Sequence, residues 1–578
     1  MGEHIRTPAN GDTRTDAHPA DEPEHTEAAP KSVAPETKRT EVLIVGGGMV
    51  GLSVALFLAR QGVRPVLVEK HQNVAVHPRA RGVNPRTMEL LRGVGLEEVV
   101  RETDSGRALA QNSGVIAVET LTGKEIGELR QTYHADSGAD YSELSPTPWC
   151  LCHQDELEPI LRDRARELGA DLRFGVELVS FEQDDDGVRA LVRNRLTGAE
   201  RVISATYLIA ADGAGSPVRA ALGIPVTGPG ALARFVNIRF EADLREALGD
   251  RRFIICYTTG AGARCALLPI DNAFRWLLHV IDDGGPDAPG FTDERCVELV
   301  RAATGIPDLE VRVQDALPWD AAGQLADRFR EGRVFLVGDA AHLMPPSGAF
   351  GSNTGIADAH NLAWKLAAVL AGQAGDALLD TYDAERRPVA RATIEQAVLR
   401  SKDRPRFVHQ EPSEPDPRIQ SDPTVMFHYR YHSTAVVPAV GADLPTGPWL
   451  PDPAAVPGTR APHVVLELAG AKLTTLDLFG EGFVLLTEPG ADWAPAAGAA
   501  AAATGARLRV VPVHDDGATP GPGPRSVDTP WREAYAAVPG EAILVRPDGF
   551  VAWRSGPHTP AGPAELTAAL RQVLAMHE

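Results

Sequence analysis

The stretch EVLIVGGGMVGLSVALFLARQGVRPVLVE, residues 41–69, decides the fold of this chain. It opens on an uninterrupted apolar run, which is typical of a strand buried on both faces. Apolar residues then recur with helical spacing from Leu52 to Ala59, and a second strand is expected at 64–68, after Gly62. A strand, a helix and a strand within about 30 residues form a βαβ unit, so the sequence predicts an α/β fold.

Three glycines lie between the first strand and the helix, in the order Gly46-x-Gly48-x-x-Gly51. In a Rossmann-like unit the first glycine permits a tight turn, the second lets the backbone approach a diphosphate, and the third allows close helix packing. The helix N-terminus attracts the anion. Glu69, 18 residues after Gly51, ends the second strand, where an acid accepts the hydroxyls of an adenosine ribose. The pattern predicts a bound dinucleotide and leaves NAD and FAD open.

Two further motifs place an acid beside a glycine at the end of a strand. Asp212-Gly213 follows the apolar run at 208–211, and Gly338-Asp339 follows the run at 334–337. Ligands of α/β proteins bind at the carboxyl ends of the strands. Both motifs can therefore reach the same extended cofactor as the glycine-rich turn, which favours FAD.

The composition excludes several classes of protein. Of the 578 residues, 43% are hydrophobic and 23% charged, which is typical of globular domains, and the length predicts about two or three of them. The formal net charge of -21 disfavours nucleic-acid binding, so a small organic molecule is the expected partner. Residues 1–38 are polar and rich in Pro and Glu, which predicts a disordered tail without a signal peptide.

The five cysteines form no CxxC pair and no metal-ligand spacing, and their number is odd. This pattern indicates a reduced, cytoplasmic protein without a bound metal. No apolar run approaches the roughly 18 to 20 residues of a membrane span, so we expect no membrane insertion.

The order of these patterns divides the chain into domains. We expect a disordered tail at 1–38, a discontinuous FAD-binding domain at 39–112, 147–223 and 320–404, a β-sheet substrate domain at 113–146 and 224–319, a linker at 405–456, and a C-terminal α/β domain at 457–578. The segment 224–319 is expected to be rich in strands. A long helix is expected to begin at about Gly355.

The three motifs are similar, in order and spacing, to those of the para-hydroxybenzoate hydroxylase-like aromatic hydroxylases, the class A flavoprotein monooxygenases. The resemblance covers Glu41 to about Ala390 and implies FAD as the cofactor. It implies that Glu69 binds the adenosine ribose, Arg79 the pyrophosphate region and Asp339 the ribityl chain. Arg81 is a weaker match for the role of Arg79.

The loop PPSGAFGSN, residues 345–353, resembles the segment whose backbone N–H groups face N1 and the C2 carbonyl of the flavin. The helix N-terminus beyond it favours the negative charge of the reduced flavin. Phe350 and Ser352 depart from the family's polar residue and its Leu or Met, but a backbone role survives both changes. The cofactor-binding residues implied by the motifs and the resemblance are Gly46, Gly48, Met49, Val50, Gly51, Glu69, Lys70, Arg79, Gln154, Val179, Asp212, Gly213, Asp339, Pro346, Gly348, Gly351, Ser352 and Asn353.

The C-terminal segment resembles the thioredoxin-like domain of family members that act on polyketides and phenols, through Gly458–His463 and Thr475–Gly480. It contains no cysteine, so it cannot perform dithiol chemistry. We expect a structural or oligomer-contact role, and a homodimer is compatible with it.

The resemblance implies a monooxygenase that hydroxylates an aromatic, phenolic or polyketide-type molecule through a flavin C4a-hydroperoxide. NAD(P)H is expected to reduce the FAD as a transient visitor, and dioxygen is expected to supply the oxygen atom. The cofactor carries the chemistry, and the sequence shows no nucleophile elbow, HExxH motif or catalytic cysteine. No catalytic residue is assigned with certainty; the candidates are Pro346, Arg264, Tyr257 and Trp276.

Two other functions stay open on the sequence alone. The same scaffold can perform a Baeyer–Villiger oxygenation or an oxidative decarboxylation, and a protein that keeps only the fold can bind FAD without catalysis. Flavin-dependent halogenation is disfavoured because the chain lacks a WxWxIP motif.

Overall fold

The structure is a computed structural model. The residues that it describes are 37–75, 80–129, 141–260, 265–282, 290–408, 414, 416–438, 447–450, 454–515, 523–556 and 562–576. Arg79 and Arg264 lie outside these ranges, as does most of the tail expected at 1–38. The last two residues of that tail belong to the first strand instead, because their backbone pairs with Val202 and Ile203.

Strands make up the larger part of the described elements. In chain order they are β1 Thr37–Val45, β2 Val66–Glu69, β3 Gly82–Val83, β4 Val115–Val118, β5 Glu125–Leu129, β6 Cys150–Leu151, β7 Asp171–Phe174, β8 Val176–Gln183, β9 Val188–Asn194, β10 Glu200–Ala210, β11 Val226–Glu241, β12 Ile255–Thr258, β13 Cys265–Pro269, β14 Arg275–Ile281, β15 Arg312–Ala326, β16 Arg330–Glu331, β17 Val334–Leu336, β18 His342–Leu343, β19 Val465–Leu468, β20 Ala471–Thr474, β21 Phe483–Thr487, β22 Leu508–Pro512, β23 Arg525–Ser526, β24 Ala542–Val545 and β25 Val551–Arg554.

Helices connect and cover the strands. They are α1 Met49–Arg60, α2 Pro85–Arg92, α3 Glu97–Arg101, α4 Asp104–Ala108, α5 Gln154–Glu167, α6 Pro217–Ala221, α7 Arg245–Leu248, α8 Asp293–Thr304, α9 Phe350–Leu370, α10 Asp380–Val408, α11 Asp422–Phe427, α12 Ala494–Thr504, α13 Trp531–Ala534 and α14 Pro563–Val573. None of the helices in the described ranges combines the length and the apolarity that crossing a membrane requires.

The first large sheet contains the βαβ unit and confirms the predicted α/β fold. Its strand order is β16-β17-β10-β1-β2-β7. β1 pairs in parallel with β10 and β2, and β10 pairs in parallel with β17. Leu43 and Ile44 on β1 are fully buried, as expected of a strand covered on both faces. The carboxyl ends of β1, β10 and β17 therefore lie side by side at one edge.

The second large sheet has the strand order β18-β15-β11-β14-β13-β12-β4-β5. Helix α8 covers one of its faces, where Cys296 and Leu299 pack in a core with Trp276. This helix lies in the segment 224–319, which is expected to be rich in strands. Its end signals are local ones, the N-cap Thr292 and the left-handed Gly305, which are typical helix boundaries.

The C-terminal region contains a mixed four-stranded sheet of order β22-β21-β24-β25. β21 runs parallel to β22 and antiparallel to β24, and β25 is antiparallel to β24. Ala500 of α12 and Leu566 and Leu570 of α14 pack against this sheet. A small mixed sheet with packed helices is the arrangement expected of a thioredoxin-like domain.

A buried ion pair joins the C-terminal region to helix α2. Arg460 donates from Nη2 to Glu89 Oε1 at 2.5 Å and from Nε to Oε2 at 3.1 Å. His463 lies near this pair and is 8% exposed. Burial, reinforced by the Arg460 guanidinium, lowers the pKa of His463 from 6.5 to about 4.

The low pKa of His463 predicts a loss of stability in acid. The folded chain keeps His463 neutral down to about pH 4, whereas an unfolded chain protonates histidine near pH 6.5. The stabilisation is therefore complete above about pH 6.5 and is lost as the pH falls to about 4, at no more than about 1.4 kcal/mol per pH unit. His463→Gln should flatten the pH dependence of the free energy of unfolding, measured by urea denaturation. Parallel curves for the two proteins would contradict this.

Candidate functional site

The glycine-rich turn leads from β1 into α1. Gly46 has φ +106°, and a Cβ built on it would lie 2.2 Å from the carbonyl oxygen of Ala211. A Cβ on Gly51 would lie 2.0 Å from the carbonyl oxygen of Gly46. Both positions therefore require glycine. Around the Cβ position of Gly48, by contrast, the described residues supply only Glu158 Oε1 at 3.7 Å, which leaves this space to a ligand.

Helix α1 begins after an N-cap glycine that has no side chain to offer, so its first N–H groups need outside acceptors. Glu158 Oε1 accepts the N–H of Met49 at 2.9 Å and a bond from Gln154 Nε2 at 2.7 Å. Glu158 Oε2 accepts the N–H of Ala75 at 2.8 Å. Glu158 thus joins the glycine-rich turn to helix α5. Sequence reasoning missed it, although its position four residues after Gln154 places both side chains on one helix face.

Glu69 ends β2 beside the same turn. Its Oε2 accepts the N–H of Gly47 at 2.6 Å, and its Oε1 accepts the N–H of His71 at 2.8 Å. The carboxylate is thereby fixed at the edge of the glycine-rich turn, where an acid can meet the ribose of a dinucleotide. Lys70 is exposed beside it.

Asp212, at the end of β10, caps the short helix α6. Its Oδ1 accepts the hydroxyl of Ser216 at 2.6 Å, and its Oδ2 accepts the N–H of Val218 at 3.0 Å. Burial raises the pKa of Asp212 above its ordinary 3.8. The neighbouring Gly213 has φ +84°, and no described atom lies within 4 Å of its Cβ position. Asp212 is therefore bonded to the protein, and the backbone of Gly213 faces open space.

The Gly338–Asp339 turn ends β17 and packs on helix α1. A Cβ on Gly338, whose φ is +57°, would lie 2.9 Å from the Val50 side chain. A Cβ on Gly355 would lie 3.0 Å from Gly338 Cα. The turn, the start of α1 and the start of α9 are therefore in close contact. Asp339 itself is exposed at this edge, and its binding of a ligand stays a prediction.

Helix α9 begins at Phe350, five residues earlier than the expected start at Gly355. Its N-cap, Ala349, is left-handed with φ +52°, and this conformation turns the chain so that the helix can begin at once. Residues 351–353 therefore lie in the first helical turn and not in a loop. N–H groups of a first turn lack intrahelical acceptors, so these donors belong to the helix N-terminus itself.

Asn353 ties this helix start to strand β3. Its Nδ2 donates to the carbonyl oxygens of Ala349 at 2.6 Å and Gly82 at 2.9 Å, and its Oδ1 accepts the N–H of Asn84 at 3.1 Å. The side-chain amide is thus engaged by the protein, and the backbone is the part left for a ligand. Pro346 is exposed at the head of the segment.

Two further predicted residues are Val179, which lies away from this edge, and Arg81, which makes another contact. Val179 lies at a bulge of β8 and is 39% exposed; its cofactor role stays a prediction. Arg81 donates to the carbonyl oxygens of Ile254 at 2.5 Å and Pro269 at 3.0 Å. Arg81 therefore binds the first sheet's domain to the second sheet.

The catalytic candidates on the second sheet separate by face. Trp276 is fully buried in the core beneath α8, and its indole N–H donates to the carbonyl oxygens of Ala242 at 3.2 Å and Ala273 at 3.3 Å. A satisfied indole in a core leaves no group for a substrate, so we withdraw Trp276 as a catalytic candidate. Tyr257 is half-buried in a separate cluster on the opposite face.

That opposite face carries aromatic and polar side chains. Trp319 stacks on Phe235 with ring centroids 4.8 Å apart, and its Nε1–H donates to Asn237 Oδ1 at 2.6 Å. His279 pairs across the sheet with Asn237, and its ring lies edge-on to Trp319 at 6.3 Å. Sequence reasoning missed these residues; the alternate spacing of Phe235 and Asn237 was the available signal. Such a face suits an aromatic ligand with polar substituents.

The cysteines and the acidic residues bear on two other kinds of chemistry, thiol catalysis and metal binding. The five cysteines are buried and form no disulfide. Burial raises the pKa of Cys256 and that of Cys265 to about 12, so the reactive thiolate is not populated at neutral pH. In the described part of the chain no cluster of His, Cys, Asp or Glu could hold a metal ion.

Comparison with known proteins adds independent information. A family model described as an FAD binding domain matches residues 39–397, and one described as aromatic-ring hydroxylase, C-terminal, matches residues 454–576. A Streptomyces halstedii protein whose name describes a polyketide hydroxylase is 47% identical, over 93% of this chain and 96% of its own. The 4-methyl-5-nitrocatechol 5-monooxygenase of Burkholderia sp is 44% identical, over 92% and 97%. The crystal structure of aklavinone-11 hydroxylase with FAD and aklavinone aligns with a TM-score of 0.83 and 37% identity, covering 93% of this chain and 99% of that chain.

The open space at Gly48 predicts a variant that folds but stays colourless. Gly48→Val adds a side chain where the described protein atoms leave room and where a diphosphate must approach the backbone. The purified variant should lack bound FAD, measured by its visible absorbance, while its apoprotein melts near the wild-type apoprotein. Gly498→Ala, at a helix position that is also open, is the control and should retain FAD. Stoichiometric FAD in Gly48→Val would remove the diphosphate from this turn.

Proposed function

The chain belongs to the FAD-dependent aromatic-ring hydroxylases, and from this premise we propose that it hydroxylates a phenolic substrate of the polyketide type. The enzyme is a flavoprotein monooxygenase that uses FAD. Dioxygen supplies the oxygen atom, and NAD(P)H is the family's usual reductant. The finer substrate class is supported by the relative named for polyketide hydroxylation and by the stacked rings Phe235 and Trp319.

The observation that carries the proposal is the meeting of three distant segments at one sheet edge. The Gly46–Gly51 turn, the Gly338–Asp339 turn and the start of α9 contact one another through Val50, Gly338 and Gly355. An extended cofactor laid along this edge would pass all three. A single ligand that contains a diphosphate, a sugar chain and a ring could place one of these parts against each segment.

The residues fit FAD in three places. The start of α1 offers a helix N-terminus and an uncrowded Gly48 backbone to the diphosphate. Glu69 lies at the ribose end of that turn, and the exposed Asp339 lies where a ribityl chain would follow. The first turn of α9 offers N–H donors and a helix N-terminus to the electron-rich edge of the flavin ring.

When bound, FAD takes electrons from NAD(P)H and activates dioxygen for transfer of one oxygen atom to an electron-rich ring. The residues of the chain bind the cofactor and the substrate, orient them and enclose them. Phe235 and Trp319 offer a flat apolar surface for a fused ring system, and Asn237 and His279 offer polar groups to its substituents. Strand β15, which carries Trp319, pairs near its end with β18, seven residues before α9; this pairing supports the proposal that the face adjoins the flavin ring.

The cellular setting follows as part of the proposal. We propose a cytoplasmic enzyme that binds no nucleic acid and does not enter a membrane; buried thiols outside disulfides and the net charge of -21 support this. A homodimer is proposed from the family resemblance alone, and the molar mass in solution would test it.

Oxygen labelling separates the proposed reaction from the other oxygenations of the scaffold. With candidate phenols and polyketide-type quinols, we expect substrate-stimulated NAD(P)H oxidation and a product in which one atom of ¹⁸O₂ is attached to an aromatic ring. Label in an ester would indicate a Baeyer–Villiger reaction, and released carbon dioxide an oxidative decarboxylation. NAD(P)H oxidation at background with every candidate would argue for FAD binding without catalysis.

The assignment of Asp339 predicts a measurable loss of FAD affinity. Asp339→Ala removes charged hydrogen bonds to ribityl hydroxyls, which contribute about 1.5 to 3 kcal/mol, or roughly 10- to 150-fold in Kd. Titration of the apoprotein with FAD, followed by flavin fluorescence, measures this. Asp308→Ala, an exposed acid in the turn before β15, is the matched control. Equal affinities for the two variants would remove the ribityl chain from Asp339.

A further inference from the structure

The turn between β24 and β25, Arg546-Pro-Asp-Gly-Phe550, is buried throughout its length. Connecting turns normally run over the surface, and buried arginine and aspartate are rare unless paired. Arg546 has no exposed surface, and Asp548 and Phe550 are each 2% exposed. The turn therefore has partners in the rest of the protein that compensate for the loss of water.

Helix α10 supplies the first of these partners. Arg546 donates from Nη1 to Glu385 Oε1 at 2.6 Å and from Nη2 to Glu385 Oε2 at 2.9 Å. Lys365 Nζ donates to the same carboxylate at 2.7 Å. Burial opposes the ionisation of Glu385, but Arg546 and Lys365 hold its pKa well below its ordinary range. Removing one partner of such a buried pair leaves an uncompensated charge, so the turn is firmly fixed to α10.

The next residue of α10, Arg386, contacts both Tyr431 and helix α9. Its Nη1 donates to the Tyr431 hydroxyl at 3.1 Å, and the Tyr431 ring stacks on Phe550 with centroids 4.2 Å apart. Its Nε donates to Asp358 Oδ1 at 2.7 Å. Arg386 is therefore held between the C-terminal turn, through Tyr431, and helix α9, through Asp358.

Asp358 makes the last contact in this series. Its Oδ2 accepts the backbone N–H of Gly338 at 3.2 Å and lies 2.7 Å from His342 Nε2. Burial opposes the ionisation of Asp358, but Arg386 and His342 hold its pKa below the ordinary 3.8. A charged acceptor therefore fixes the N–H of the residue immediately before Asp339.

We propose that the buried turn Arg546–Phe550 is part of the cofactor-binding apparatus. It fixes Arg386, and Arg386 and Asp358 are positioning residues that hold the Gly338–Asp339 turn against the ribityl chain. The inference rests on the assignment of Asp339 under the proposed function. It gives the C-terminal domain, which lacks cysteine, a role in retaining FAD.

The strength of a hydrogen bond to FAD depends on how firmly the bonding group is held. Hydrogen bonds weaken steeply when distance or angle departs from the optimum, so a carboxylate on a turn binds well only when the turn is fixed. Gly338 has a left-handed φ of +57°, a conformation that no side chain of its own can stabilise. Its N–H bond to Asp358, together with its packing against Val50, holds the orientation of the turn.

Two variants and a matched control test the proposal. Tyr431→Phe removes only the hydroxyl that accepts from Arg386 and keeps the ring on Phe550; we expect the Kd for FAD to rise three- to tenfold. Asp358→Asn replaces the carboxylate that accepts from Arg386 with a neutral amide, and we expect the Kd for FAD to rise more than tenfold. Arg387→Gln removes a partly exposed ion pair with Asp383 from the same helix and should leave the Kd unchanged.

The melting temperature of each protein without FAD and with saturating FAD separates positioning from stability. A positioning role predicts a higher Kd and a smaller rise in Tm on adding FAD. A merely structural role lowers the Tm of the apoprotein and leaves the Kd at the wild-type value, and this result would overturn the proposal. If Asp358→Asn yields no folded protein, Tyr431→Phe decides alone.

The same titrations distinguish this inference from the proposed function. Weakened FAD binding in Asp339→Ala, together with wild-type affinity in Tyr431→Phe and Asp358→Asn, refutes the positioning role and leaves the ribityl assignment intact. Wild-type affinity in Asp339→Ala refutes that assignment, and with it the basis of the inference.

Discussion

Close backbone packing around the first turn of α1 is the constraint on which the rest of the structure depends. The Cβ positions of Gly46 and Gly338 each lie less than 3 Å from an atom of another segment, Ala211 in one case and Val50 in the other. These contacts accompany the parallel pairing of β1 with β10 and of β10 with β17. The glycines therefore help to fix how these strands and α1 pack together, because a strand order that separated them would remove the close contacts.

Local signals account for what the sequence predicted well. The βαβ unit is marked by short apolar runs between turn residues. The start of α9 has no such mark. It depends on a left-handed Ala349, a conformation that a non-glycine residue adopts only when its surroundings hold it, and Asn353 supplies that support through strand β3. Helix α8 did carry local signals, but the strand-rich pattern around it concealed them.

The sequence predicted those site residues whose type is required locally, by the backbone conformation of a turn or by a position at the end of a strand. It did not predict residues that are selected by tertiary contacts. Glu158 and Asp358 accept N–H groups of turns that lie elsewhere in the chain, and no local pattern identifies those turns as their partners. The two tryptophans illustrate a second limit. Trp276 and Trp319 both lie on strands of the second sheet, yet one is in the core and the other on the open face. The register of pairing decides which face a residue occupies, and a shift by one residue exchanges the faces.

The packing of Phe350 explains how the segment 345–353, which we propose faces the flavin, tolerates an unusual side chain. The Phe350 ring lies against Gly348, where a built Cβ would come within 2.2 Å of it, and it packs with Ala397 and Val425. The Arg400 guanidinium lies over the ring at 4.9 Å. The side chain is therefore directed into the protein, between the segment and helix α10. The N–H donors of the helix start belong to the backbone, so the substitution changes what supports the segment without changing what the segment offers to a flavin.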